Sequence, residues 1–321
     1  MSAEDALRVA ASFGVDVRGA AAAPLEGGYS NESWRVTGPG AAVVVRRYGR
    51  LHVSRAALDF EHAVTAHLAR HGAAVRAPLA DGEGATLHLD AGAFVAVLPW
   101  IDGVTGGRDP ATGAAAAAAL AQIHLAGRGM HVASGMRSTR FLGILPWLIA
   151  CFQRFAAAGS PTARALPWDE LILAVGAATA RVATRAARLP PAILHGDPHP
   201  GNVVVRDGRV RGVIDFDFVH ESERVCDVGA LLDEFARPGD DAPLDLGRIA
   251  PLVAAYEAQA PLTAEERASL PDAMLRRAAT LVWYVVTRHG ERAPGDVGGA
   301  PRYAARVREI ARAIEEIRHA A

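Results

Sequence analysis

Residues 193–217, ILHGDPHPGNVVVRDGRVRGVIDFD, set short apolar runs between polar groups. Two short apolar runs, 203–205 and 210–214, flank Arg206-Asp207-Gly208-Arg209, and this spacing predicts a tight β-hairpin. His195, Asp197 and Asn202 precede the hairpin, and Asp215 and Asp217 close it. Antiparallel strands bring entry and exit together, so Asp197 and Asn202 are expected to meet Asp215. Further apolar runs at 41–45, 75–79, 86–89 and 94–100 predict strands in the first hundred residues. Helical periodicity marks 4–13, 56–71, 111–127, 141–158, 168–189, 231–236, 249–259, 264–289 and 303–319. The alanine-rich stretch before Leu25 reads as a linker.

Composition narrows the picture. With 321 residues, half of them hydrophobic and 21% charged, the chain can bury a core and form two lobes. A net charge of −1 gives no electrostatic footprint for nucleic acid or a membrane surface, so neither is expected as a partner. The longest apolar runs, 141–152 and 281–286, are too short to span a bilayer. The N-terminus carries charges unlike a secretory signal, and two lone cysteines, Cys151 and Cys226, offer no disulfide framework; a reducing cytoplasm is the expectation. Lysine is absent, so arginine must do any work that needs a fixed cation.

Grouped carboxylates and one amide on a rigid hairpin suit a hard cation such as Mg²⁺, which keeps positions open for phosphate oxygens. His-x-Asp-x-His over 195–199 admits a transition-metal reading, which Pro198 and Pro200 weaken by disfavouring a regular strand. His-x-Asp, an Asn five residues after the Asp, and a strand ending in Asp-Phe also match the catalytic and metal-binding pattern of kinases.

HGDxHxxN followed by IDFD resembles the aminoglycoside phosphotransferase family of kinase-like small-molecule phosphotransferases, with LAQIHLAGRGM (120–130) and the stretch 254–279 resembling its type II homoserine kinase branch. The resemblance implies an α+β, two-lobed protein-kinase-like fold. Residues 1–99 would form an N-lobe with a five-stranded antiparallel sheet and a helix, and 100–321 a mostly helical C-lobe. It implies Asp197 as the catalytic base, Asn202 and Asp215 as Mg²⁺ ligands, and ATP as phosphate donor. Gly27, Gly28 and Ser30 would cover the phosphates, Arg46 held by Glu61 would contact them, and the backbone near Val97 and Trp100 would hold adenine. Asp227 would brace the catalytic loop, and His124 would be a hydrogen-bonded core residue. Glu221, Asp233 and Glu234 could face the acceptor, and Trp147, Phe152 and Phe155 could line its pocket. The acceptor would be a small-molecule hydroxyl, on a homoserine-like amino alcohol or a natural product. An antibiotic-inactivating phosphotransferase and a non-catalytic nucleotide-binding regulator are the alternatives.

Overall fold

The computed structural model describes residues 1–26, 31–49, 54–130, 140–158, 165–292 and 298–321, with the side chains of 289–292 outside the description. Five antiparallel strands form the N-terminal sheet in the order β1-β2-β3-β5-β4: β1 Ala21–Pro24, β2 Glu32–Gly38, β3 Ala41–Arg47, β4 His88–Asp90 and β5 Ala93–Pro99. Helix α1 (Ala3–Ser12) begins with a capping box between Ser2 and Asp5. It lays Ala6, Val9 and Ala10 on a sheet face built from Val36, Val43, Val45, Val95 and Val97. Helix α2 (Arg55–Arg70), capped by Ser54, carries Glu61 and His62 on its buried side.

Two expectations shift here. The alanine stretch 21–24 is an edge strand, not a linker, because pairing with Trp34–Thr37 imposes the extended form on residues of weak strand preference. Residues 75–79 form no strand; Leu79 N–H donates to Val97 O at 2.7 Å, and the next strand starts at His88.

The remainder is mostly helical. Helix α3 (Pro110–Ala126) starts at an Asp109 cap with proline in its first turn, and its buried alanines let neighbours approach closely. Helix α4 (Phe141–Ala157), Trp168–Ala183, Val225–Phe235, Ile249–Glu257, Ala264–Arg292, Ala300–Arg312 and Ile314–Ala320 enclose one continuous apolar core. The long helix Ala264–Arg292 packs along Val225–Phe235, and Arg276, Arg277 and Thr280 on it line a cavity with Gly196. Two small pairs complete the fold: β6 (Pro191–Leu194) with β9 (His220–Glu223), and β7 (Val203–Arg206) with β8 (Arg209–Val213). The stretches 168–189 and 303–319 each break once, at Thr184 and at Ala313. Among the described residues no helix is long and apolar enough to cross a membrane.

His62, on α2, shows how tightly the N-terminal part is packed. Its Nε2 lies 2.8 Å from Tyr48 Oη and its Nδ1 2.8 Å from Thr86 Oγ1. Burial pushes its pKa down from 6.5 to about 4. Between those pH values the unfolded chain takes up a proton that the folded chain excludes. Stability is therefore intact above about pH 6.5 and is lost as pH falls toward 4, by on the order of 3 kcal/mol. Thermal unfolding measured from pH 7 to 4.5 should show this slope, and His62→Gln should flatten part of it. Equal slopes in the two proteins would contradict the assignment.

Candidate active site

The loop between β6 and β7 is pinned from below. Asp227, in the first turn of Val225–Phe235, accepts the His195 N–H at 2.7 Å on one oxygen and the Gly196 N–H at 3.0 Å on the other. His124 Nε2 lies 3.2 Å from the same carboxylate, and His124 Nδ1 lies 2.7 Å from Tyr256 Oη. Burial pushes the Asp227 pKa up, but the His124 hydrogen bond and the surrounding histidines outweigh it and hold the carboxyl below its usual range. Asp227 and His124 thus occupy the structural positions expected of them. Gly196 has φ +86°, and a Cβ there would fall 2.2 Å from Phe218 O, so only glycine fits.

His195 is fully committed. Its Nε2 donates to Ile214 O at 2.9 Å and its Nδ1 accepts the Asp197 N–H at 3.1 Å. With both nitrogens engaged, it is not a metal ligand, which removes the transition-metal reading of His195, Asp197 and His199. The imidazole instead sets the backbone at Asp197. The Asp197 side chain is ion-paired to Arg277 and lies 3.6 Å from His199 Nε2. Burial pushes its pKa up, yet the Arg277 charge, with both histidines, holds it below the ordinary carboxylate value. Asp197 is therefore ionised at neutral pH and able to accept a proton.

The hairpin closes as its sequence requires. Asp207 and Gly208 both have positive φ, +56° and +67°, the backbone of a two-residue type I′ turn. Ile214 N–H donates to Asn202 O at 2.9 Å, which joins the entry and exit of the hairpin. Asn202 Nδ2 donates to Asp197 O at 3.0 Å, so its amide oxygen is the group left for another ligand. Asp215 follows with φ +68°, a left-handed backbone uncommon outside glycine and frequent at functional sites.

Arg46 of β3 reaches across to this end of the hairpin. Its Nη1 lies 3.3 Å from Asp217 Oδ1, 3.4 Å from Asp215 Oδ1 and 3.9 Å from Glu61 Oε1. The expected pairing of Arg46 with Glu61 is thus the longest of its three contacts. The long guanidinium sits nearer the two aspartates, while Glu61 Oε1 also accepts from Tyr48 Oη at 3.3 Å. Burial pushes the Asp215 pKa up and the neighbouring Asp217 adds to this, against the pull of Arg46. Asp217 is itself held by Asn31 Nδ2 at 2.7 Å, which ties the N-terminal sheet to the hairpin.

Asn202 and Asp215 supply oxygen donors only, the chemistry a hard cation needs. Among the described residues no group of three or more His, Cys, Asp or Glu side chains converges as a metal site. A cation at Asn202 and Asp215 would complete its shell with water and phosphate oxygens, as Mg²⁺ does. The residues present fit that ion.

Along β3 and β5, Trp100 N–H donates to Ala42 O at 2.9 Å and Tyr48 N–H to Phe94 O at 2.9 Å. These bonds fix the alternation along β3 and β5, so residues 96, 98 and 100 face β3. Val97 and Pro99 point their backbone groups the other way, and the Val97 carbonyl takes the Leu79 N–H. The Val97 carbonyl and the Trp100 N–H are therefore already engaged. In the same alternation the Pro99 carbonyl and the Ile101 N–H face away from β3. The Trp100 ring carries the Arg35 guanidinium at 4.0 Å and donates from Nε1 to Asp102 at 2.8 Å. Gly27, Gly28 and Ser30 lie outside the described residues.

The acidic stretch 221–245 is largely paired. Glu223 takes the Phe141 N–H at 2.7 Å, Asp233 pairs with Arg237 and Arg306, and Asp240 pairs with Arg108. Asp233 is wholly buried and does not face an acceptor. Glu234 is ringed by Arg306 at 3.4 Å, Arg108 at 3.5 Å and Arg277 at 3.7 Å. Phe152 and Phe155 pack on Trp168 in the core, whereas Trp147 is partly exposed and meets Trp283 edge-on. Arg276 and Arg277, not singled out in the sequence, line a cavity beside the loop between β6 and β7. Their signal was present: two adjacent arginines interrupt an otherwise apolar stretch of a long helix.

Residues 21–264 match the model of the phosphotransferase enzyme family. Homoserine kinase of Rhodopseudomonas palustris is 31% identical over 230 residues, covering 71% of this chain and 67% of that protein. Among solved structures, the microcompartment-associated aminopropanol kinase superposes with a TM-score of 0.74 at 16% identity, over 96% of this chain and 95% of that one. The amicoumacin kinase in complex with AMP-PNP, Ca²⁺ and Ami superposes with a TM-score of 0.70 at 15% identity, over 96% and 91%. These likenesses agree with the five-stranded antiparallel sheet and the mostly helical remainder. The chain belongs to the phosphotransferase enzyme family and is a kinase-like small-molecule phosphotransferase with an alcohol group as acceptor.

Proposed function

We propose that the chain moves the γ-phosphoryl group of Mg-ATP to the hydroxyl of a small homoserine-like amino alcohol. The observation that supports this is the junction at Asn202: its side-chain N–H bonds the Asp197 carbonyl, its own carbonyl takes the N–H of Ile214, the residue before Asp215, and Asp197 is ionised. Asp197 would orient the acceptor hydroxyl and take its proton as the oxygen attacks the γ-phosphorus. The bond from that phosphorus to the bridging oxygen breaks, and ADP leaves with the electron pair. Asn202 and Asp215 would hold Mg²⁺, which would supply positive charge to offset that of the transferring phosphate. The remaining work is positioning, which a pinned loop performs well. At the hinge, the Pro99 carbonyl and the Ile101 N–H are better placed than Val97 and Trp100 to meet a purine edge.

Arg46 would turn from the aspartates toward the nucleotide phosphates. Arg46→Ala is expected to raise the KM for ATP roughly tenfold or more, the scale of a charge-assisted contact. An unchanged KM would remove Arg46 from the nucleotide site.

An aminoglycoside acceptor is disfavoured, because a polycation needs unpaired acidic groups and Asp233, Glu234 and Asp240 already face arginines. Two buried free thiols and use of ATP fit a reducing cytoplasm. The test is an acceptor panel of homoserine, choline-like amino alcohols, aminoglycosides, macrolides and nucleoside antibiotics with Mg-ATP, read by mass spectrometry. Phosphorylated homoserine or a close amino alcohol is the expected product. Nucleotide binding with no product on any acceptor would favour a non-catalytic regulator.

A further inference from the structure

A cavity of about 120 Å³ opens beside the catalytic loop, lined by Gly196, Phe218, Arg276, Arg277 and Thr280 among others. It is too small for a drug-sized ligand, whose pockets run to roughly 300–1,000 Å³. Two arginines and one carboxylate line it, and that carboxylate, Asp227, is committed to His124 and to the His195 and Gly196 N–H groups. Arg277 is matched by Asp197 and Glu234. Arg276 has no carboxylate within ion-pair reach among the described residues, and its Nε is buried without a hydrogen-bond partner. An unmatched, half-buried guanidinium facing a small cavity carries a desolvation cost that an anion would offset.

We propose that this cavity is the subsite for a carboxylate on the acceptor, with Arg276 as its receptor. Resting on the hydroxyl-kinase reading above, this assigns the acceptor to hydroxy amino acids rather than simple amino alcohols. Geometry sets the acceptor's length. Arg277 touches both the cavity and Asp197, so carboxylate and reacting hydroxyl lie on either side of one guanidinium. A short carbon chain spans that gap, and a bulky scaffold does not. The guanidinium fork suits a planar carboxylate.

Steady-state kinetics with two acceptors test it: homoserine, and 3-aminopropan-1-ol, which keeps the hydroxyl and amine but lacks the carboxylate. The wild-type protein should prefer homoserine by about 10- to 100-fold in kcat/KM, the value of one charged hydrogen-bonded contact. Arg276→Met should collapse that preference, mainly through the homoserine KM, and Arg276→Lys should restore part of it. ATP affinity, measured alongside, reports that each variant is folded; if the methionine variant does not fold, the wild-type ratio decides alone. A wild-type protein that uses both acceptors equally, or a methionine variant that keeps the wild-type ratio, would overturn the carboxylate assignment and leave hydroxyl transfer standing. Transfer to neither acceptor, with ATP still bound, would overturn both.

Discussion

Asp197→Asn is expected to lower kcat by roughly 10²–10⁴-fold, the usual contribution of a positioned proton acceptor, with ATP affinity nearly intact. The amide is almost the same size and can still meet the acceptor hydroxyl, but it cannot take the proton. The surrounding geometry should survive. The Asp197 backbone is held by His195 Nδ1 and by Asn202 Nδ2, and neither bond involves the carboxylate. Removing that charge leaves Arg277 with Glu234 as its remaining partner, so a modest change in stability accompanies the loss of rate. Rapid-quench or coupled-assay kinetics, with ATP binding followed separately, distinguish these effects. Turnover within a few-fold of wild type would show that Asp197 does not carry the proton.

Asp227→Ala should have the larger structural consequence. Its carboxylate satisfies the N–H groups of His195 and Gly196 and meets His124 in a site it shares with Tyr256, where Asp227, His124, His195 and Tyr256 are buried. Truncation leaves those donors without an acceptor and opens space beneath the loop. Breaking such a buried charged network costs about 3–5 kcal/mol. The unfolding midpoint should fall by several degrees, and kcat should fall too, because His195 and Gly196 lose the groups that fix them. Asp227→Asn, which keeps one oxygen, should lie between. A Tm unchanged in the alanine variant would contradict the bracing role. Asp197 and Asp227 thus separate by readout: one costs rate at near-constant stability, the other costs both.

Much of the candidate site's geometry was legible in the sequence because its information is local. The Asp207-Gly208 turn, the valine runs around it, and polar residues at both ends specify a hairpin that can close only one way. His195, Asp197, Asn202 and Asp215 come together through bonds within 20 residues of chain. Glu61 and Arg46 were placed near the same site, but their order of contacts was not, since a guanidinium chooses among three carboxylates by tertiary distance alone. The arginine opposite Asp197 was missed for the same reason: Arg277 is 80 residues away, and nothing local marks which helix face meets the loop. Acidic residues 221–245 looked like a possible acceptor surface because composition shows charges without their partners. Residues 21–24 looked like a linker because alanine carries little strand preference, and only the neighbouring strand supplies the pairing. The direction of backbone groups at Val97 and Trp100 depends on sheet register, which a single apolar run does not encode.

The most direct test of the central claim is the stoichiometry of the reaction on homoserine. With Mg-ATP and the wild-type protein, ³¹P NMR should show a new phosphate monoester on the acceptor hydroxyl, formed in equal amount with ADP and abolished when Mg²⁺ is chelated. ADP appearing with free phosphate and no ester, or ATP bound and unchanged in the presence of every acceptor offered, would contradict phosphoryl transfer to a small-molecule hydroxyl at this hairpin.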